Sequence, residues 1–280
     1  MSLKNSIIVD SGCDITSDVI DHEGCSLSHI PLNLQLEDRV YLDDESLDIE
    51  DYLVQMERSA VVKTSAPSPN LFFERFKMGD SVFAVTLSSK LSATYQSAMT
   101  AKDMYIEEYG KKFIHIFDSL SASVGEGVIA MKISELMKKG VSNLDIVEQV
   151  DHFIKDMRTF FILDKYDNLV KTGRVKPYIA KIAGFLNIKP VCSALDGEIV
   201  MKDKCRGYAK AVTRLVELIK DTTTDLENRV VAISHCKCYE KAVALKDEVL
   251  KQLNVKDVLI QECRGVVATY ANRGGVVLAL

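Results

Sequence analysis

Through the first 157 residues, short apolar runs closed by turn residues alternate with longer stretches whose apolar positions recur at helical spacing. "SIIVDSG" (6–12) has the pattern of a buried strand. "TSDVIDHEG" (16–24) reads as a short helix with Thr16 or Ser17 at its N-cap and Gly24 near its end. In "LNLQLEDRVYL" (32–42) Leu32, Leu34 and Leu36 alternate with polar residues before Glu37-Asp38, which predicts a hairpin with one buried face. A helix over 47–59 comes next, then an extended segment holding Thr64 and Ser65. Ser68-Pro69 has the N-cap and N1 chemistry of a helix start, so "PNLFFERFKMG" (69–79) is expected to be helical and to end at Gly79. Strands over 81–89 and 112–119 alternate with helices over 92–110, 122–140 and 142–157.

The pattern changes after residue 157. A strand over 158–164 and two short helices around "LVKTGRVK" lead to a hairpin turned at Asp196-Gly197. Helices over 208–221 and 239–253 then alternate with strands over 229–235 and 257–263. The fold class predicted is α/β: an N-terminal domain (1–157) with a parallel sheet flanked by helices, and a second, α+β domain (158–280).

Composition narrows the function more by exclusion than by assignment. With 47% hydrophobic and 27% charged residues, the chain is an ordinary globular sequence, and a net charge of −5 argues against a nucleic-acid partner. No secretory signal is legible at the start, and no apolar run reaches the roughly 18 residues of a membrane-spanning helix. Seven cysteines scattered along the chain fit a reducing, cytoplasmic setting better than a disulfide framework.

The usual catalytic motifs are missing or broken. "GEGVIA" (125–130) matches G-x-G-x-x-A, but six residues separate Asp118, at the end of its strand, from Gly125. The glycines therefore fall inside the helix, where close packing explains them better than a pyrophosphate does. "IIVDSGCD" opens like a metal-dependent phosphatase, yet Gly12 stands where the second carboxylate belongs. Asp10 and Asp14 remain as a pair for a metal, which keeps open an alternative: a phosphoryl- or acyl-transfer enzyme. "HCKC" (235–238) offers three metal ligands with no second pair to complete a structural zinc site. The expectation is a non-catalytic protein without metal or cofactor.

Two hydroxyl-rich stretches remain, "TSAPSP" (64–69) and "LSSKLSATYQSA" (87–98). Serines and threonines cap helices and bond nearby backbone, which accounts for Ser68. Ser92, however, follows a buried strand and opens a long helix, a position suited to holding a carboxylate or phosphate, and Thr64 and Ser65 face it as a second wall.

Several of these segments resemble those of the DegV family. "TSAPSP" resembles T-S-Q-P-S, "SSKLSATYQSA" resembles S-S-x-L-S-G-T-Y-Q-S-A, and "FDSLSASVGEG" matches D-S-x-x-x-S-x-G-x-G. "LVKTGRV" is similar to L-x-K-G-G-R-I and "KCRGYAKA" to K-x-R-G-x-x-K-A, in order along the chain with "IIVDSGCDI" ahead of them. The resemblance implies a two-domain α/β protein that holds one long-chain fatty acid in a cleft between the domains and presents it to a separate fatty acid kinase, feeding phospholipid synthesis. It implies Thr64 and Ser92 as carboxylate ligands with Ser65, Ala93 and Thr94 beside them, and Arg174 and Arg206 as kinase-docking residues. The chain departs from the family at Ala66 and Ala93, where Gln and Gly are common. It departs again at "ATYANRGGVVLAL" (268–280), where Tyr270 takes the place of a ligand histidine and donates a hydrogen bond without bringing a cation.

Overall fold

The computed structural model describes residues 5–20 and 24–280. The apolar runs become strands and the periodic stretches helices, in the order β1 (Asn5–Asp10), α1 (Ser17–Ile20), β2 (Cys25–Ile30), β3 (Asn33–Leu36), β4 (Arg39–Leu42), α2 (Ile49–Arg58), β5 (Val62–Ser65), α3 (Pro69–Phe76), β6 (Ser81–Thr86), α4 (Thr94–Tyr109), β7 (Phe113–Asp118), α5 (Val124–Lys138) and α6 (Asn143–Asp156). There follow β8 (Thr159–Ile162), α7 (Asp167–Lys171), α8 (Pro177–Ala183), β9 (Ile188–Leu195), β10 (Glu198–Arg206), α9 (Tyr208–Thr222), β11 (Val230–His235), α10 (Tyr239–Gln252), β12 (Asp257–Glu262), α11 (Gly265–Ala271) and β13 (Val276–Ala279).

The strands form three sheets. A parallel sheet runs β2-β1-β6-β7, and a mixed sheet runs β10-β9-β8-β13-β11-β12, in which only β11 and β12 pair in parallel. The expected hairpin is β3–β4, turned at Glu37, and β5 joins its other edge so that Leu34 lies opposite Thr64. Three elements escape the sequence pattern. β2 is an edge strand whose polar serines and histidine break up its apolar signal. The C-terminal α11 and β13 follow one another too closely for either period to emerge.

Local rules account for most of the boundaries. Asp48 accepts hydrogen bonds from the N–H groups of Glu50 and Asp51 and so caps α2, and Ser142 caps α6 through the Asp145 N–H. Ser68 sits at the N-cap of α3 but its hydroxyl makes no capping bond, leaving Pro69 as the start signal. That helix stops at Phe76, ahead of Gly79, because Phe72, Phe73 and Phe76 complete its buried stripe within two turns. The end of the helix expected over 16–24 lies outside the described residues.

Helices cover both faces of the parallel sheet. On one side Phe72, Phe76, Ala98 and Ala101 of α3 and α4 pack on Ile8, Val82 and Ala84. On the other, α5 packs on β1 and β6 and also reaches β11 and β13, so it is held between the two larger sheets. A helix covered all round is buried all round, and the seven residues from Val124 to Ala130 are indeed buried, Glu126 among them.

This close approach explains the paired glycines. A Cβ at Gly127 would lie 1.9 Å from Ile15 Cγ1, and one at Gly125 would lie 2.1 Å from Ser121 Oγ. Replacing Gly127 by Ala is expected to lower unfolding free energy by about 1–3 kcal/mol, with Ile15→Ala in the same chain recovering part of the loss. Equilibrium urea denaturation of the two variants measures it, and an unchanged midpoint for Gly127→Ala would show that the helix has room.

Candidate functional site

The apolar core leaves a cavity between the two larger sheets. It holds about 870 Å³ of empty space, its open mouth included. Phe161 and Val277 of the mixed sheet, Leu32, Leu87, Leu169 and Val266 form apolar walls. The β9–β10 hairpin closes one side: Ser88 Oγ donates to the Gly197 carbonyl at 2.8 Å. Gly197 has φ +83°, and a Cβ there would sit 2.5 Å from Ser88 Oγ, so the turn needs glycine on both counts.

Polar side chains collect at the mouth. Thr64 Oγ1 and Tyr270 Oη are 2.7 Å apart, sharing one hydrogen bond across 206 positions of sequence. β5 carries Thr64 to the edge of the small sheet, and α11 carries Tyr270 to meet it. Ser92 lines the same cavity just ahead of α4, where its hydroxyl pairs with Thr94 Oγ1 at 2.8 Å and accepts the Thr94 N–H at 3.3 Å. Arg174 completes the group. Its Nε donates to the Leu91 carbonyl at 3.2 Å and its Nη1 to the Thr172 carbonyl at 2.8 Å, while the guanidinium lies 5.8 Å from the centre of the Tyr270 ring.

Thr64, Ser92 and Tyr270 thus come together at one end of an apolar cavity. The other residues named from sequence stand elsewhere. Ser65 is exposed and its hydroxyl accepts from Asn33 Nδ2, outside the cavity lining. Ala93 is exposed at the N-cap of α4, and Thr94 is fully buried behind Ser92, which it holds in place. Arg206 is exposed at the end of β10, outside the lining. Arg174, expected at a docking surface, is part of the cavity wall. Sequence reasoning did not single out Ser121, Ser123 and Thr159, which line the deep side; the two serines belong to the serine-rich "FDSLSASVGEG" stretch, and Thr159, at the start of β8, carried no signal. Their hydroxyls are spent on the fold, Ser121 Oγ pairing with Thr159 Oγ1 at 2.7 Å and Ser123 Oγ donating to Asp14 Oδ2 at 2.6 Å.

Asp10 and Asp14 also serve the fold in this structure. Asp10 accepts the N–H groups of Gly12 and Leu87, at 2.8 and 2.7 Å, which joins the ends of β1 and β6. Asp14 accepts from Ser123 Oγ and from the Arg264 N–H. Glu126, in the first turn of α5, is fully buried; no N–H or hydroxyl among the described residues donates to it, and its polar neighbour is the Asp10 carboxyl, to which its own proton can be donated. Burial pushes Asp10 and Asp14 up to about 7, and it pushes Glu126 well above the usual carboxylate range, with the neighbouring Asp10 and Asp14 adding to the rise. Among the described residues no group of three or more His, Cys, Asp or Glu side chains is arranged to hold a metal ion. In the "HCKC" segment, His235 Nδ1 accepts the Cys238 N–H at 3.4 Å and Cys238 Sγ faces the Gly275 carbonyl.

Carboxyls raised in this way are protonated in the folded protein at pH values where the unfolded chain has released those protons. Their contribution to stability is full below about pH 4 and is lost as pH rises through about 7, so unfolding free energy falls across that window. Each proton accounts for up to about 1.4 kcal/mol per pH unit. Urea denaturation at pH 5, 6 and 7 is expected to show the decline, and Glu126→Gln, a neutral isostere, to flatten it. A variant with the parent's slope would mean that Glu126 holds no proton in this range.

Comparison with known proteins places the geometry in a lineage. The sequence model of the DegV family matches residues 4–280. A DegV domain-containing protein of Streptococcus pyogenes serotype M1 is 35% identical over 216 residues, 76% of this chain and 77% of that protein. Among solved structures, a DegV-family protein from Ruminococcus gnavus, with vaccenic acid, is 35% identical with a TM-score of 0.93 over the whole of both chains. One from Eubacterium eligens loaded with heptadecanoic acid is 27% identical, TM-score 0.92, over 98% of each chain. The Fatty Acid Kinase (Fak) B3 protein of Streptococcus pneumoniae, loaded with linoleic acid, is 29% identical, TM-score 0.91, over 100% of this chain and 99% of that one.

Proposed function

The chain belongs to the DegV family, and we propose that it binds one long-chain fatty acid as a carrier, without catalysing a reaction on it, and presents the carboxyl group to a separate kinase. The observation that carries this reading is the apolar cavity ending in the Thr64, Tyr270, Ser92 and Arg174 cluster. Proteins of the same fold were solved with vaccenic, heptadecanoic and linoleic acids, and one of them is named as a fatty acid kinase protein.

The division of labour follows from the lining. Each methylene taken from water contributes about 0.8 kcal/mol, so a sixteen-carbon tail supplies on the order of 10 kcal/mol before the costs of association. The head group fixes register. The hydroxyls of Thr64 and Tyr270, which bond to each other across the mouth, can each turn a proton toward a carboxylate, and Ser92 supplies a third donor. Hydrogen bonds to a charged group contribute roughly 1.5–3 kcal/mol each. Arg174 adds a fixed positive charge beside Tyr270, in the place where sequence alone offered only neutral donors. Its two hydrogen bonds to backbone carbonyls hold it there, so it is a pre-set counter-charge with its remaining N–H groups free for a carboxylate.

Because Arg174 is only half-buried at the mouth, a kinase approaching the carboxylate would meet the same guanidinium. On this reading the residue serves ligand and partner in turn, and Arg206, exposed beyond β10, serves the partner alone. No helix among the described residues is long and apolar enough to cross a membrane.

Extraction of the purified protein into organic solvent, followed by mass spectrometry, is expected to return a C14–C18 fatty acid in near-stoichiometric amount. The Thr64→Ala, Ser92→Ala double variant loses two hydrogen bonds to the carboxylate and is expected to bind about a hundredfold more weakly. Circular dichroism serves as the check on folding. Unchanged lipid content in that variant would reduce both hydroxyls to structural roles. A lipid-free protein that hydrolyses nucleotide with magnesium would instead favour the enzyme built on Asp10 and Asp14.

A further inference from the structure

A second cavity lies across the β2–β3 connection from the first, and its chemistry is the reverse. It holds about 1260 Å³ of empty space, open solvent included, and its walls are polar. Arg75 and Arg264 stand in the lining, and Asp44 and Glu45 stand there too. Neither guanidinium lies within ion-pair distance of a carboxylate among the described residues. Arg264 Nε is buried without a hydrogen-bond partner among the described residues. A buried N–H of a charged group without an acceptor is costly, and its usual remedy is an oxygen atom supplied from outside the chain.

The backbone around Arg264 is fully committed, so the orphan is confined to its side chain. The Arg264 N–H goes to Asp14 Oδ1, and the next two N–H groups, of Gly265 and Val266, go to the two oxygens of Asp43. Asp43 also lines the cavity, but each of its oxygens is already engaged by one of these N–H groups. Asp44 uses Oδ1 for the N–H and hydroxyl of Ser46, and among the described residues Oδ2 has no hydrogen bond and the exposed Glu45 makes none. His29 donates from Nε2 to the Ile15 carbonyl, and burial followed by the nearby Arg264 charge pushes it down to about 4, so it brings no cation to the cavity at neutral pH.

These charges select a ligand class. A bare oxyanion would satisfy the two arginines but would face Asp44 and Glu45, and a bare cation would meet the opposite conflict. A small molecule with both charges meets neither. We infer that this cavity is a second binding site, for a small zwitterion whose oxyanion engages Arg264 and Arg75 and whose ammonium engages Asp44 and Glu45. A free amino-alcohol phosphate and the headgroup of a zwitterionic phospholipid share that chemistry. The site is independent of the fatty-acid reading, since Arg264, Arg75, Asp44 and Glu45 do not line the apolar cavity.

The test uses the full chain labelled with ¹⁵N and titrated with phosphoethanolamine, inorganic phosphate or ethanolamine. Phosphoethanolamine is expected to give saturable amide shifts confined to residues such as Ser28, His29, Asp44 and Arg264, with each half-molecule binding at least tenfold more weakly. Arg264→Gln retains the backbone bond to Asp14 and is expected to weaken phosphoethanolamine about tenfold, with Glu45→Gln lowering it several-fold. Co-sedimentation with phosphatidylethanolamine vesicles separates the sources: retention lost in Arg264→Gln assigns the headgroup, and its absence beside saturable shifts assigns the free compound. Lack of saturation at about 10 mM, equal binding of inorganic phosphate, or an Arg264→Gln variant that binds as the parent does would each overturn the inference. Fatty-acid content is measured in the same samples, so failure of the carrier reading and failure of this site are told apart.

Discussion

Two carboxylates from the first fifty residues hold the start of a helix that lies more than two hundred residues away. Asp14 takes the N–H of Arg264, and Asp43 takes those of Gly265 and Val266. α11 has no side-chain cap of its own, so its opening donors are satisfied only by this long-range contact. The helix is also fixed along its length, where Thr269 Oγ1 pairs with Tyr52 Oη at 2.7 Å and the Thr269 carbonyl accepts from Asn168 Nδ2. Much of the apolar cavity depends on that placement, because α11 contributes Val266, Val267, Tyr270 and Ala271 to its wall.

How far the sequence carries depends on whether a feature is local. Most strands and helices read directly, because their apolar residues alternate or recur within a few positions, and the glycines of α5 could be assigned to packing from their distance beyond β7. The C-terminal α11 and β13 were not legible. Nearly every residue of 265–271 is buried, so no polar face marks a helical period, and the contacts that order it come from Asp43, Tyr52 and Asn168. The site shows the same limit. Thr64 and Ser92 stand out in hydroxyl-rich stretches, but the 2.7 Å contact between Thr64 and Tyr270 and the position of Arg174 depend on tertiary geometry. Ser65, adjacent to Thr64 in sequence, is separated from it by the strand: successive strand residues point to opposite faces, and Ser65 lies exposed outside the cavity lining.

The acidic residues have a comparable double character. In sequence Asp10 and Asp14 look like metal ligands because they follow a strand, the place where such carboxylates are found. In the fold each has become an acceptor for backbone or hydroxyl donors that join separate elements, a structural role that needs no metal. Glu126 differs, since nothing donates to it and the cost of its burial is met by keeping its proton. Kept neutral in this way, Glu126 adds no negative charge behind the site proposed for a fatty-acid carboxylate.

An apolar cavity inside a protein carries a cost that a close-packed core does not. The side chains facing it lack neighbours on one side, and the lost dispersion contacts weigh against folding in proportion to the empty volume. Here the cost falls on the junction between the two larger sheets, where Phe161 and Val277 on one side and Leu87 on the other face the same space. An acyl chain in the cavity would restore those contacts and would bind only the folded state, so ligand and fold would stabilise each other. That linkage makes complete release of the tail into water unfavourable twice over, once for the exposed methylenes and once for the emptied cavity. A carrier built this way favours handing on its ligand at the head group while the tail stays covered, which is the arrangement the polar mouth and buried walls provide.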